Sequence, residues 1–348
     1  MASILVTGAA GFIGAHAAAA LARAGHRVVG CDNFNAYYPV ALKRARVERL
    51  LAPLGVAVEA RDLSDAAALD AWFTQRRFDV VLHLAAQAGV RHSLHAPLDY
   101  VQANLLGFGA VLEAARRHGV QHLLYASSSS VYGHRSDVAG GFREADRTDR
   151  PASFYAATKQ ANEAMAYATA AVHGLPVTGL RFFTVYGPWG RPDMACWTFA
   201  ERIWRGQTLP LYGQGQLLRD FTYIDDAVDA LRRLIERGPV AAADDGVPAE
   251  LLNVGHRQPV RVIDFVRALE TALLRPARIE LAPMQPGDVP NTCADPSRLL
   301  AAIGDWPATP LATGLQAFAR WWLDWQARQP CADAGMHRGT TPPLRAAA

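Results

Sequence analysis

The first thirty-two residues constrain the fold more than any other stretch. Ser3-Ile4-Leu5-Val6-Thr7 is apolar and β-branched, Gly8-Ala9-Ala10-Gly11-Phe12-Ile13-Gly14 is a glycine-punctuated turn, and an alanine-rich run follows to about Ala24. The order reads as strand, turn, helix. Arg27-Val28-Val29-Gly30-Cys31 reads as a second strand, and Asp32 closes it 18 residues past the last glycine. Glycines in such a turn let backbone N–H groups approach a pyrophosphate at the positive end of the helix. The spacing is GxxGxxG rather than GxGxxG, and glycines alone would also suit a plain tight turn. The strand-closing carboxylate favours a dinucleotide: it accepts hydrogen bonds from ribose hydroxyls and repels a 2′-phosphate, so NAD is expected over NADP.

Alternation continues. Residues 33–51, with Asn33, Asn35, Tyr37, Tyr38, Lys43, Arg44 and Arg46, read as a loop and a basic helix whose face is mostly solvated. A third strand at 56–60 leads to Arg61-Asp62-Leu63, where an adenine could be held. A helix at 64–76 and a strand at 78–84 ending in Leu84 follow, then Ala85-Ala86-Gln87-Ala88-Gly89, small enough for a cofactor to pass close to backbone. A long helix at 97–118 carries Asn104, expected at the cofactor, a strand at 121–126 runs into Ser127-Ser128-Ser129-Ser130-Val131-Tyr132-Gly133, and a helix at 151–173 precedes a strand at 177–183. This pattern predicts an α/β fold, a doubly wound parallel (Rossmann-type) sheet with ligands beyond the carboxyl ends of its strands.

Past residue 185 the punctuation changes. Tyr186 to Asp193 has loop chemistry. Helices are expected at 196–205, 225–237, 259–274 and 311–327, strands at 209–212, 217–223 and 251–254, and a loop at 284–290. The division expected is an NAD-binding lobe at 1–184, with 220–255 returning to it, a smaller C-terminal substrate-binding lobe at 185–219 and 256–330, and a disordered tail at 331–348.

Composition removes other classes. The chain has 348 residues, 51% hydrophobic and 19% charged, and can bury a large core. A net charge of +3 without a long basic run gives no reason to expect nucleic acid. No apolar stretch reaches about 18 uninterrupted residues, so no membrane span is expected. Cys31, Cys196, Cys293 and Cys331 lack metal-ligand spacing and read as reduced thiols of a cytoplasmic protein. His83, His92 and His95 have no carboxylate or cysteine at ligand spacing, and no metal is expected.

Within this frame, Tyr155-Ala156-Ala157-Thr158-Lys159 places a phenol and an ammonium on one helix face. A free tyrosine ionises near pH ~10. A fixed ammonium, and a cationic ring in the same cleft, would favour the phenolate and make Tyr155 a base toward a substrate hydroxyl. The serine run at the end of a buried strand would add hydroxyls to that cleft.

Together, the glycine turn, Asp32, the serine run and Tyr155-x-x-x-Lys159 resemble the extended short-chain dehydrogenase/reductase superfamily over residues 1 to about 330. A narrower resemblance, to bacterial UDP-glucuronate 4-epimerases, lies in Asp32-Asn33-Phe34-Asn35-x-Tyr37-Tyr38, in the run from Arg181 to Ala195, in Arg219-Asp220-Phe221-Thr222-Tyr223 and in Met284-Gln285-Pro286-Gly287-Asp288. The resemblance implies NAD as a retained cofactor and a UDP-sugar substrate oxidised and re-reduced at C4. It implies Tyr155, Lys159 and Ser128 as catalytic residues, and a homodimer paired through the helices at 97–118 and 151–173. Ser129, Ser130 and Thr184 would lie near the sugar carboxylate and Arg219 near the diphosphate. Arg191 could meet substrate or cap its Gly/Pro loop, and Arg91 is read as structural. Nucleotide-sugar 4,6-dehydratases carry an Asp-Glu pair where this chain has Ser129 and Ser130, which cannot expel a 6-hydroxyl at neutral pH. UDP-glucose 4-epimerase, UDP-glucuronate decarboxylase and a silent NAD-sensing scaffold stay open as alternatives.

Overall fold

The computed structural model describes residues 1–135, 140–242, 245–284, 289 and 291–328. Residues 285–288 of the fourth motif and the tail at 331–348 lie outside them. From the N-terminus, β1 (Ser3–Thr7), α1 (Phe12–Arg23), β2 (Arg27–Asp32), α2 (Val40–Arg46), β3 (Ala57–Ala60), α3 (Ala66–Gln75) and β4 (Val80–His83) alternate. α4 (Pro97–Tyr100) and α5 (Gly107–Arg117) follow, joined by a π-helical stretch at Val101–Leu106, then β5 (His122–Ser128), α6 (Phe154–His173) and β6 (Val177–Phe182). The remainder is β7 (Thr184–Tyr186), α7 (Ala195–Trp204), β8 (Thr208–Leu211), β9 (Leu218–Tyr223), α8 (Ile224–Arg237) and β10 (Ala249–Val254). It ends with β11 (Pro259–Arg261), α9 (Val262–Leu273), β12 (Arg278–Leu281), α10 (Ser297–Ile303) and α11 (Leu311–Arg328).

Seven strands form one parallel sheet in the order β3-β2-β1-β4-β5-β6-β10. The doubly wound α/β architecture read from the sequence is the one observed, and its strand order reverses between β1 and β4. A crevice at the carboxyl ends follows from that reversal. Its central strands are apolar throughout because both faces are covered: Ile4, Leu5 and Val6 on β1, and Val81 and Leu82 on β4, are fully buried. Ala15, Ala17 and Ala18 of α1 are also fully buried, short side chains that let the helix lie close against the sheet and α8. Two smaller sheets, β7-β9-β11 and β8-β12, stand beyond it.

Several local expectations change. Lys43 and Arg46 of α2 are 5% and 0% exposed, so two of the basic side chains expected in solvent are turned inward where both find partners, while Arg44 stays exposed. Residues 259–261 pair antiparallel with β9 before the helix begins at Val262, and residues 184–186 pair with β9 as a strand. Such three-residue strands are too short to show a period of two. The helix over 97–118 is not uniform, since Asn104 sits in its π-helical middle.

Candidate active site

A cavity of about 510 Å³ opens at the carboxyl ends of the strands, within the roughly 300–1,000 Å³ usual for small-molecule sites. Its wall follows the sheet order. Asp62 and Leu63 come after β3, Asp32 closes β2, the glycine turn follows β1, Leu84 to Gln87 follow β4, the serines end β5, and Thr184 lies just past β6.

The turn is built for close backbone approach. Gly8 has φ 68°, and a Cβ there would lie 2.8 Å from the Ala85 nitrogen. A Cβ on Gly14 would lie 2.1 Å from the Gly8 oxygen, and one on Gly11 at 2.9 Å. α1 then starts at Phe12 without a side-chain cap, which leaves its first N–H groups for an anion. Gly8, Gly11, Phe12, Ile13 and Gly14 all line the cavity.

At the next strand end, Asp32 Oδ1 accepts from the Phe34 N–H (2.8 Å) and meets Lys43 Nζ at 3.5 Å. Lys43 also donates to Asn35 Oδ1 (2.9 Å), and Asn35 Nδ2 donates to Gln87 Oε1 (3.1 Å). Asn33 holds the turn by accepting from the Asn35 N–H (3.1 Å). Hydrogen bonds from Ser64, and from the Asn33 side chain, hold the Asp62 carboxyl below the usual carboxylate range despite partial burial. The Gln87 side-chain nitrogen is buried without a partner among the described residues, an unsatisfied donor at the cavity wall. These features fit a dinucleotide: an anion cradle at β1, a ribose-reading carboxylate at β2 and a spare donor opposite. Asn104 differs from its expected place. It stands behind the wall, gripping the Gln87 backbone (2.8 and 3.0 Å) and Thr158 Oγ1 (3.0 Å).

Across the crevice, Ser153 caps α6 by accepting from the Ala156 N–H (3.1 Å). The first turns of α6 bring Tyr155 and Lys159 to the cavity. Lys159 is 2% exposed and donates to the Ala126 oxygen (2.8 Å). Ser128 Oγ accepts from the Ser130 N–H (3.2 Å) and hydroxyl (2.9 Å). Ser129, Ser130, Thr184, Arg191 and Arg219 complete this end. Arg219 donates to the Leu218 oxygen (2.8 Å), and Arg191 forks onto Asp193 (3.0 and 2.6 Å). Among the described residues, six basic side chains (Lys43, Arg61, Arg91, Lys159, Arg191, Arg219) line the cavity against two acidic ones (Asp32, Asp62), a balance suited to a ligand carrying several negative charges.

Residues 4–255 match the family model described as the NAD dependent epimerase/dehydratase family. The chain belongs to that family. It is similar to a probable UDP-glucuronate 4-epimerase of Rhizobium meliloti, 44% identical over 91% of this chain and 96% of the relative. It is also similar to UDP-glucuronate 4-epimerase 4 of Arabidopsis thaliana, 45% identical over 93% of this chain and 76% of the relative. Among solved structures, UDP-glucuronic acid 4-epimerase from Bacillus cereus, in complex with UDP-glucuronic acid and NAD, superposes with a TM-score of 0.84. That pair is 31% identical, over 93% of this chain and 99% of the other.

In this epimerase/dehydratase the sequence reading missed three residues that shape the site. Lys43 pairs with Asp32, Tyr37 donates to Asp193 Oδ2 (3.1 Å) across the crevice, and Asp193 orients Arg191. Tyr37 and Asp193 stand in the quoted motifs, but nothing in their spacing announces a contact over 156 positions. Arg91 lines the cavity and lies over the Tyr212 ring at 5.7 Å.

Proposed function

We propose that the chain is an NAD-dependent UDP-glucuronate 4-epimerase, forming UDP-galacturonate through a transient 4-keto sugar without decarboxylation. One observation carries this reading. The wall holding Tyr155, Lys159 and Ser128 also holds the hydroxyls of Ser129, Ser130 and Thr184, and Arg191, and among the described residues no acidic side chain lines that end. Bound NAD supplies a hydride acceptor that becomes the donor, so the reaction has no net redox change. Tyr155 takes the proton of the C4 hydroxyl and returns one after the sugar has turned. Ser128, which shares the cavity wall with the phenol and favours its ionised form, orients it, and Lys159 holds positive charge beneath. Ser129, Ser130 and Thr184 donate to the sugar carboxylate, and Arg191 and Arg219 meet the anionic ligand as guanidinium forks suited to phosphate or carboxylate.

The expected division of 1–184 with 220–255 against 185–219 with 256–330 would cut β7 and β9, which form a sheet of their own with β11, so the proposed NAD lobe is 1–183 with 224–255 and the nucleotide-sugar lobe 184–223 with 256–330. A homodimer fits this reading. Leu98 (76% exposed), Leu106, Phe154, Tyr167 and Val172 (73%) put large apolar side chains on the surface of α4, the π-helical stretch and α6, a face a second copy would cover. No helix among the described residues is long and apolar enough to cross a membrane, and we place the enzyme in the cytoplasm, in polysaccharide precursor synthesis.

A proton-NMR time course with UDP-glucuronate tests the function. UDP-galacturonate as the main product is expected. UDP-xylose or a 4-keto-pentose would make the chain a decarboxylase, and turnover of UDP-glucose alone would remove the uronate from the reading.

A further inference from the structure

Arg46 has no part in the chemistry proposed above, yet it is fully buried. Its guanidinium donates to four oxygens on three separated segments. Nη1 reaches the Ala10 oxygen (3.0 Å) and the Tyr38 hydroxyl (2.8 Å), Nε the Trp189 oxygen (2.9 Å) and Nη2 the Gly190 oxygen (3.1 Å). None of these partners is a carboxylate. A buried charge answered only by neutral oxygens is costly, and a Leu or Met would fill the same core volume without that cost. The planar five-donor fork is what an apolar residue or a lysine could not supply.

The oxygens it selects are informative. Ala10 lies in the glycine turn, between Gly8 and Gly11. Trp189 and Gly190 immediately precede Arg191, which lines the cavity and whose charge acts on the Tyr155 phenol. Trp189 has φ 63°, a left-handed conformation that bulky residues avoid, so its surroundings must hold it there. Its ring is gripped by Trp321 and Trp325 of α11, with centroids 5.2 and 5.6 Å away, and Arg46 holds its carbonyl.

We infer that Arg46 is a positioning residue that braces the Trp189-Gly190 backbone against the glycine turn and so sets where Arg191 meets the UDP-sugar. The inference rests on the proposed reading of Arg191 as a substrate contact. A single guanidinium then links the dinucleotide end of the cavity to its sugar end.

The test is a double-mutant cycle on the NAD-loaded enzyme with Arg46→Lys, Arg46→Met, Arg191→Met and the paired variants. Each is measured by steady-state kinetics with whichever UDP-sugar the wild type turns over, and by thermal unfolding. Arg46→Lys should lower kcat/KM by about tenfold or more, the loss falling mainly in KM. Combined with Arg191→Met it should lie within about twofold of Arg191→Met alone, because both changes remove one interaction. Losses that multiply would make Arg46 a structural residue only and overturn the inference, as would an unchanged KM in a stable Arg46→Lys protein or in Arg191→Met. If Arg46→Met does not fold, the lysine series completes the cycle. A wrong substrate assignment shows in the wild-type product and leaves the coupling readable.

Discussion

The ammonium of Lys159 lies 2.8 Å from the carbonyl oxygen of Ala126, a bond that fixes α6 to the end of β5 two residues before Ser128. Burial pushes the Lys159 ammonium down to about 8, with the Glu163 charge one turn further along α6 opposing the change. Burial pushes the Tyr155 phenol up, opposed by its hydrogen bond with Ser128 and by the Arg191 charge. The sequence pointed to Lys159 as the charge that tunes the phenol. In the structure Ser128 and Arg191 oppose the upward shift of the phenol, and Lys159, at the same cavity, is anchored to backbone.

Tyr155→Phe keeps the ring and its edge contact with Tyr100, whose centroid is 6.0 Å away, and removes the proton acceptor. Turnover should fall by about 10²–10⁴-fold, the usual worth of a general acid–base group, with the thermal midpoint unchanged. Near-normal turnover in the folded variant would exclude Tyr155 from the proton transfer.

The cofactor preference should depend on Asp32. Its carboxylate is paired with Lys43, so Asp32→Ala removes the group that repels a 2′-phosphate and releases an ammonium that can attract one. Wild type should bind NAD far better than NADP, and the variant should narrow that gap chiefly by gaining affinity for NADP. Titration of both dinucleotides checks this, and an unchanged ratio would move the ribose site elsewhere.

What the sequence made legible followed strong local signals. β1, the glycine turn, α1 and Asp32 are contiguous, and their periods switch cleanly from strand to helix, so both fold and cofactor could be read there. Tyr155 and Lys159 are four apart and need only a helix to meet the same cavity. Arg46 was misread because a basic run normally faces water. Its partners lie 8, 36, 143 and 144 positions away, and no local pattern encodes them. Asn104 was placed at the cofactor by its neighbourhood. Its buried bonds to Gln87 and Thr158 show that a polar side chain near a cleft can instead hold the wall in shape.

Acid sensitivity should follow from His122. The ring is 1% exposed, Nε2 bonds Thr178 Oγ1 (2.8 Å), and Nδ1 has no partner among the described residues. Thr178 itself donates to Glu250 Oε1 (2.9 Å), so Nε2 carries the imidazole proton. Burial, with the Arg237 charge adding to it, lowers the ring from 6.5 to about 3. Between these values the unfolded chain binds a proton that the folded one refuses, so this contribution is full above 6.5 and is lost as pH falls toward 3. His122→Gln keeps a donor toward Thr178 and should flatten the pH dependence of unfolding free energy between pH 4 and 6 by up to about 1.4 kcal/mol per pH unit. Urea titrations across that range, parallel for both proteins, would show that His122 is not the group responsible.

The hydroxyls beside Tyr155 should decide what becomes of the keto intermediate. Oxidising C4 of a glucuronate gives a β-keto acid, which loses carbon dioxide when the breaking bond aligns with the carbonyl π system. An epimerase must hold the carboxylate out of that alignment while the sugar turns. Ser129 and Ser130 follow β5 and Thr184 begins β7, so donors on two separate elements face one cavity, and charge-assisted hydrogen bonds to a carboxylate are the stronger kind. Ser130 also donates to Ser128 (2.9 Å), so Ser130→Ala should disturb the hydroxyl proposed to orient Tyr155 and slow both outcomes. Thr184→Val keeps shape and removes only a donor, which makes it the cleaner probe. It should slow epimerisation while raising the share of UDP-pentose, read from the product ratio in a proton-NMR time course. Ser129→Ala should shift the ratio the same way. If these hydroxyls only satisfy loop backbone, activity can fall in each variant but the ratio of pentose to galacturonate will stay at the wild-type value.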